Sequence, residues 1–138
     1  MRKPRVLIAG TPRAIGIIEQ SLGGAVELVR ASAGAEALAC CRESIALVVT
    51  HVSFDESRML DFVQALRAQA PERAVPVICL RLLSPLSPRM REAIVEALEV
   101  LGATRFIDLY EMRERLGEDA ARRQLTQLLL EECARLQP

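Results

Sequence analysis

The sequence is poor in several residue types, and each shortage excludes a class of function. It has no tryptophan, one tyrosine and three phenylalanines, so a core built from it must be mainly aliphatic. Its formal net charge is zero, because 18 basic residues balance 18 acidic ones. A chain without a net charge has no overall field that attracts nucleic acid or an anionic membrane surface. We therefore expect neither of these partners.

Metal-ligating residues are scarce as well. The single histidine, His51, and the four cysteines show neither paired CxxC spacing nor a familiar zinc-binding set. The cysteines, which we expect to be reduced and mostly buried, are Cys40, Cys41, Cys79 and Cys133. The only lysine is Lys3, and none of the four aspartates lies in the first fifty residues.

Long apolar runs are also missing. No stretch approaches the roughly 20 apolar residues that a membrane-spanning helix needs. The start of the chain, MRKPRVLIAG, has too short an apolar stretch for a signal peptide. Both features favour a cytoplasmic protein.

A regular alternation of strand and helix patterns runs through the chain. At 138 residues, the chain fits one domain with its own core. Five short apolar segments predict strands, at 6–9, 25–30, 45–49, 75–80 and 104–109. Apolar residues at helical spacing occupy the segments between them. This order predicts an α/β fold, with a parallel sheet covered by helices on both faces.

The third and fourth helices carry recognisable end signals. Asp55 or Ser57 can cap the third helix, and Ser87 with Pro88 begins the fourth. Gly102 ends the fourth helix. The residues that we predict on its inner face are Met90, Ile94, Ala97, Leu98 and Leu101.

The pattern after Tyr110 is helical to the end of the chain, with a predicted break at Gly117 and a new start at Glu118 or Asp119. One kinked helix and two helices both fit it. The residues on one side of the last part are Ala121, Leu125, Leu128, Leu129, Glu132 and Leu136. Because Leu130 lies off this side, we expect more exposed apolar surface than docking on the sheet requires. The extra length either covers the protein's own core or forms a partner surface.

Polar residues end several of the predicted strands. Ligands of parallel α/β folds bind outside the carboxyl ends of the strands, and Thr11, His51 and Arg81 lie there. An anionic ligand held by these residues and Arg13 is one interpretation. The turn AGTPRAIG is a poor phosphate loop, because it lacks GxGxxG spacing and Pro12 has no backbone N–H.

His51 is the group that we expect to titrate near neutral pH. That property would suit a pH sensor, a phosphate acceptor or a general base. The sequence places no acid in a position to orient the imidazole. We therefore interpret His51 as a polar residue that fills the end of its strand.

Four short strings occur in order along the chain: GAEAL at 34–38, LVVTHV at 47–52, VPVICL at 75–80 and LGATRFI at 101–107. Together they resemble the receiver domain of bacterial response regulators, over residues 4–110. The resemblance implies a flavodoxin-like, doubly wound three-layer sandwich with five parallel strands in the order 2-1-3-4-5. It implies a single domain over 1–138, with a core at 1–110 and an extended C-terminal helical segment at 111–138.

The resemblance also assigns the positions at which receivers carry out their chemistry, and this chain differs at each of them. Gly10 and Thr11 occupy the positions of the metal-binding acids, and His51 occupies that of the phosphate-accepting aspartate. Arg81 replaces the hydroxyl residue after the fourth strand, and Leu109 replaces the lysine after the fifth. Since Mg²⁺ requires oxygen ligands, we expect no Mg²⁺, no phosphoryl transfer and no other cofactor.

Two further expectations concern the fifth strand. The family's switch aromatic is retained, in the resemblance, as Phe106. Arg81 and Asp108 are predicted to form a partly buried ion pair at neighbouring strand ends. This pair would replace the family's contact between lysine and aspartate and lock one conformation.

A receiver without its chemical residues is a degenerate receiver, or pseudo-receiver, and not an enzyme. We expect a phosphorylation-independent protein-interaction module of bacterial two-component-type signalling. Its candidate surface is formed by the fourth helix, the fifth strand and the terminal helix, and a homodimer is the simplest assembly. Representative residues of this surface are Arg91, Arg105, Leu128 and Leu130. The alternative is a sensor that binds a small anionic ligand or nucleotide in the carboxyl-edge crevice.

Overall fold

A computed structural model describes residues 3–42, 44–54, 58–69, 75–82, 87–103 and 105–135. Within them, the chain forms a parallel sheet of five strands with helices on both faces. The strands are β1 (Arg5–Ala9), β2 (Glu27–Ala31), β3 (Leu47–His51), β4 (Val77–Arg81) and β5 (Arg105–Asp108). The helices are α1 (Pro12–Leu22), α2 (Gly34–Cys40), α3 (Met59–Gln69), α4 (Pro88–Val100), α5 (Leu109–Leu116) and α6 (Glu118–Arg135). The strand order, β2-β1-β3-β4-β5, is the one that the resemblance implies.

Most strand ends differ from the predicted ones by one or two residues, and local contacts explain two of these differences. β3 begins at Leu47 rather than Ile45, because its ladder with β1 starts only there. β5 ends at Asp108, and Leu109 already belongs to α5. The Asp108 carboxylate accepts the backbone N–H of Glu111 at 3.0 Å, so it caps a helix where the apolar pattern predicts one more strand residue.

Strand residues alternate between two cores, because successive side chains of a strand point to opposite faces of the sheet. The first core lies between the sheet and α1, α5 and α6, and the second lies between the sheet and α2, α3 and α4. The strand members of the first core include Val6, Ile8, Leu47, Val49, Ile78 and Leu80, and those of the second include Leu7, Ala9, Val48, Val77 and Cys79. All of these are 0% exposed. The uninterrupted apolar runs therefore mark strands that are buried on both faces.

The C-terminal helices are part of the first core. Gly117 has a φ of 87°, so the chain breaks there and forms two helices rather than a single kinked one. α6 packs against α1 and α5. Its side chains that are at most 4% exposed are Ala121, Leu125, Leu129, Glu132 and Cys133. Leu136, which we predict on the same side, lies outside the described residues.

The prediction of surplus apolar surface on the last helix is wrong. Leu128 and Leu130 are half-buried and pack against the first core. They find apolar neighbours because α6 packs against two other helices rather than on the sheet alone. Among the described residues of α6, no large apolar side chain is exposed. The terminal helix therefore serves mainly the protein's own core.

The ends of α4 are those that the sequence predicts. Ser87 caps its start by accepting the backbone N–H of Met90 at 3.1 Å, and Pro88 follows in the first turn. Gly102, just beyond the end of the helix, has a φ of 76°. The predicted caps of α3, Asp55 and Ser57, lie outside the described residues.

α4 is only shallowly buried. Of its 13 residues, only Leu98 is buried. Met90 is 57% exposed, so its predicted place on the inner face is wrong. Met90 belongs to the first turn of the helix, and α4 makes half-buried contacts with the second core only from Ile94 onward. Met90 and the other exposed side chains of this helix are therefore open to other molecules.

The cysteines are free thiols, as predicted. Cys41, Cys79 and Cys133 are buried, and Cys40 is half-buried. Burial raises the pKa of Cys79 to about 12, and burial together with the neighbouring Cys40 raises the pKa of Cys41 to about 11. Both thiols are therefore protonated near neutral pH and poor nucleophiles.

Candidate functional site at the carboxyl edge

The residues predicted for the crevice fall into two groups at the carboxyl edge of the sheet. His51 continues the alternation of β3 on the side of the first core, beside α1. Arg81 and Asp108 continue the alternation of β4 and β5 on the side of the second core, beside α4. All three are buried, with 4%, 8% and 7% of their surface exposed.

His51 fills the space beside the turn that follows β1. Its Nε2 accepts the backbone N–H of Thr11 at 3.2 Å. A β-carbon added at Gly10 would lie 3.0 Å from the imidazole Cδ2, which is closer than side chains normally approach. Glycine at this position therefore gives the imidazole its room, and the imidazole occupies the place where the resemblance implies a metal site.

The backbone donors at the start of α1 are already in use. The N–H of Thr11 binds His51, and the N–H of Ala14 binds the Thr11 hydroxyl at 3.3 Å. Pro12 has no N–H to donate. A helix N-terminus attracts an anion through unsatisfied N–H groups, and few remain here. The exposed Arg13 therefore stands beside a poor anion site.

Burial lowers the pKa of His51 from 6.5 to about 4. The prediction that this group titrates near neutral pH is therefore wrong, because the imidazole is neutral there. Since Nε2 accepts a hydrogen bond from Thr11, the proton of the neutral ring is assigned to Nδ1. In this arrangement neither ring nitrogen has a free lone pair for a phosphoryl group or a substrate proton.

We predict that the free energy of unfolding decreases as the pH falls below 6.5 toward 4. The unfolded chain takes up a proton on His51 near pH 6.5, whereas the folded protein does so only near pH 4. Between these values the unfolded state binds more protons. The stabilisation is therefore complete above pH 6.5 and is lost as the pH falls through 4. A shift of this size corresponds to roughly 3 kcal/mol.

Urea denaturation of the wild-type protein and of His51→Gln at a series of pH values measures this effect. The glutamine amide oxygen can reach the position of Nε2 and accept the Thr11 N–H, but it does not titrate. The difference between the two proteins therefore separates His51 from the carboxylates, which titrate in the same range. We expect a weaker pH dependence in the variant, and the same pH dependence in both would show that His51 is not responsible.

Asp108 is the centre of the second group. Its Oδ1 accepts the Nε–H of Arg81 at 2.8 Å and the backbone N–H of Glu111 at 3.0 Å. Its Oδ2 accepts the Nε–H of Arg91 at 3.1 Å. One carboxylate thus joins β4, β5, α4 and the start of α5. The predicted ion pair between Arg81 and Asp108 is confirmed, and its role in locking one conformation stays a prediction.

Aromatic rings and a second carboxylate complete this group. The Arg81 guanidinium lies 4.8 Å from the centre of the Tyr110 ring, and that of Arg91 lies 5.9 Å from the centre of the Phe106 ring. Nη2 of Arg91 also lies 3.5 Å from Oε2 of Glu111. With Asp108, two arginines thus face two carboxylates, and the group is formally neutral.

The remaining predicted site residues lie elsewhere. Leu109, placed by the resemblance at the lysine position, is 3% exposed and belongs to the first core. Phe106 is half-buried against the second core. Arg105 is exposed at the start of β5, at the end of the strand away from Asp108. Arg91, predicted on a partner surface, contacts Asp108, and its side chain is 45% exposed.

Neither a metal centre nor a membrane span occurs in the ranges that the structure describes. No three histidine, cysteine, aspartate or glutamate side chains there are close enough together to hold a metal ion. Each helix in the same ranges is too short or too polar to cross a bilayer.

No family model and no curated protein matches the sequence. The structure is similar to solved receiver domains. The receiver domain of the Francisella response regulator 1452 is 19% identical, with 98% of this chain and 100% of that chain covered and a TM-score of 0.70. The phosphorylated cyanobacterial phytochrome response regulator RcpA is 16% identical, with 91% and 88% covered and a TM-score of 0.65. A chain described as adenylate cyclase from Rhodopirellula baltica is 14% identical, with 96% and 95% covered and a TM-score of 0.60.

These likenesses establish the class of fold. The chain has the architecture of a receiver domain, the CheY-like form of the flavodoxin fold, and the Francisella domain matches it over nearly its whole length. The likeness therefore covers α5 and α6 as well as the sheet. At identities of this size it extends to the architecture alone.

Proposed function

We propose that this protein is a pseudo-receiver that acts as a phosphorylation-independent protein-interaction module in two-component-type signalling, and that it is not an enzyme. Receiver domains are generally signalling modules, and the fold supports that role. The observation that carries the proposal is the occupied carboxyl edge. His51 fills the space beside Gly10, and Arg81 is held on Asp108.

The charge of this edge supports the proposal. Phosphoryl transfer relies on a cation such as Mg²⁺ to neutralise the developing charge, and Mg²⁺ needs oxygen ligands. Both oxygens of Asp108 already accept hydrogen bonds, from two arginines and a helix N-terminus. Recruiting this carboxylate to a metal would separate it from the buried Arg81, at a cost of several kcal/mol.

The anionic-ligand sensor has less support. Its binding groups would be Thr11, Arg13, His51 and Arg81. The Thr11 N–H instead binds His51, and the Arg81 Nε–H binds Asp108. Arg13 would have to hold the ligand largely by itself, from an exposed position at which ion pairs contribute little.

A module without covalent chemistry acts through a surface that it presents at all times. The contact between Arg91 and Asp108 ties α4 to the end of β5, so the exposed side of α4 has a fixed position. We place the partner surface on this side of α4 and on Arg105, with a smaller part for the half-buried Leu128 and Leu130. A second copy of the chain is the simplest partner for this surface. The exposed glutamates of α4, however, favour a different protein as the partner.

Incubation with acetyl phosphate and Mg²⁺ tests the absence of phosphorylation. We expect intact-mass spectrometry to find no phosphorylated protein at any Mg²⁺ concentration. RcpA, whose solved structure is described as phosphorylated, is the positive control under the same conditions. An acyl phosphate on this protein that forms only with Mg²⁺ and approaches one phosphoryl group per protein molecule would contradict the proposal.

A further inference from the structure

α4 exposes an apolar stripe that the fold leaves uncovered. Met90, Ala93, Ala97 and Val100 recur at i, i+3, i+7 and i+10, so they share one side of the helix. Met90 is 57% exposed and Val100 is 87% exposed. Ala93 is exposed as well, and Ala97 is half-buried. Exposed apolar residues that are contiguous on one helix indicate a docking surface rather than scattered surface residues.

A row of glutamates runs beside this stripe. Glu92, Glu96 and Glu99 recur at i, i+4 and i+7, and all three are exposed. None of them takes part in an ion pair among the described residues. Like charges at this spacing destabilise a helix. A cation bound beside the row would relieve that repulsion.

We propose that the exposed apolar stripe of α4, together with the glutamate row, binds an amphipathic helix of a partner protein, whose own apolar stripe is flanked by arginine or lysine residues. The inference rests on the proposed function, because it names the partner class of the interaction surface. The apolar stripe around Met90 and Val100 supplies the contact area, and the glutamate row selects the charge of the partner. An acidic helix of the same shape would meet the row with like charges.

The same row disfavours a second copy as the occupant. A two-fold contact between two α4 helices brings each surface against itself. Glu92, Glu96 and Glu99 of the two copies would then lie close together, and like charges across an interface weaken binding. Arg89 supplies only one compensating cation on this part of the helix.

A displayed library of amphipathic helical peptides tests the proposal. The peptides keep a leucine stripe, and their flanking positions carry lysine, glutamate or serine. Sorting against the labelled full-length protein should enrich the lysine-flanked peptides. We expect Val100→Gln, which removes the apolar contact without adding a charge, to weaken their binding by at least about tenfold, which corresponds to 1.4 kcal/mol. Leu116→Gln, at an exposed apolar residue of α5, is the matched control and should leave binding unchanged.

Charge reversal separates the proposed contact from general stickiness. The triple variant Glu92→Lys/Glu96→Lys/Glu99→Lys should prefer glutamate-flanked peptides. A library without binders, a selection without charge preference, or a preference that survives the reversal would overturn the proposal. A wild-type dimer in light scattering that Val100→Gln converts to a monomer would overturn it in favour of a second copy. None of these results alters the acetyl phosphate experiment, so failure of the partner class is distinguishable from failure of the proposed function.

Discussion

Removal of residues 118–138 should leave a chain that does not fold cooperatively. The deletion removes α6, including Leu125 and Leu129, which are 0% exposed in the first core. Replacing one buried leucine by alanine costs about 2–5 kcal/mol, and a domain of this kind is stable by only about 5–15 kcal/mol. The deletion also uncovers the apolar side of α1. Circular dichroism during urea denaturation should therefore show a single transition for the full chain and none for the shortened one.

Single substitutions provide the matched controls for this deletion. Leu125→Ala should lower the free energy of unfolding by about 2–5 kcal/mol, because the leucine is fully buried. Leu128→Ala should cost clearly less, because Leu128 is only half-buried. If the shortened chain unfolded cooperatively at the urea concentration of the full chain, α6 would be an appendage, and its place in the core would be contradicted.

Asp108→Ala should lower the free energy of unfolding by about 3–5 kcal/mol, more than other single changes at the carboxyl edge. The Arg81 side chain is 9% exposed, and the substitution removes a carboxylate that is bound to its buried charge. It also removes the cap of α5, which by itself contributes about 1 kcal/mol. Urea denaturation followed by circular dichroism measures the loss.

Two further variants separate the charge from the packing. Arg81→Met/Asp108→Leu removes both members of the buried pair and replaces them with apolar side chains, so it should cost less than Asp108→Ala alone. Arg91→Ala removes the 45% exposed partner and should cost at most about 1 kcal/mol. Equal losses in Asp108→Ala and Arg91→Ala would contradict the central position given to Asp108.

The sequence predicts the sheet well, because each strand is marked by a short apolar segment of the chain. Segments such as 75–80 are uninterrupted apolar runs, and such runs belong to strands buried on both faces. The errors arise where a side-chain contact or the packing of a helix, rather than the apolar pattern, decides the local structure. Leu109 fits the strand pattern, but the Asp108 side chain starts a helix there. Met90 lies at helical spacing from Ile94, and no sequence pattern shows that this first turn lacks cover from the core.

The site was predictable to a smaller extent. Arg81 and Asp108 end neighbouring strands, so their ion pair follows from the strand order, and the two residues are direct partners in the β4–β5 ladder. The position of Arg91 on the same carboxylate depends on a long side chain that reaches from α4, and sequence spacing does not define such a contact. The sequence does carry a signal for the other role of Asp108, as the cap of α5. Its spacing from Glu111 is typical of a capped helix start. The low pKa of His51 follows from burial, which the strand-end position does not reveal.

We propose that the carboxyl edge is closed to a divalent cation and to a phosphoryl group. An NMR titration of the backbone amides with Mg²⁺, and then with beryllium fluoride as a mimic of a bound phosphoryl group, tests this claim most directly. The N–H groups of Thr11 and Glu111 are suitable reporters, because they donate to His51 and Asp108. We predict that both signals stay in place throughout the titration. Saturable shifts of these two signals, absent with a monovalent salt of equal ionic strength, would contradict the claim.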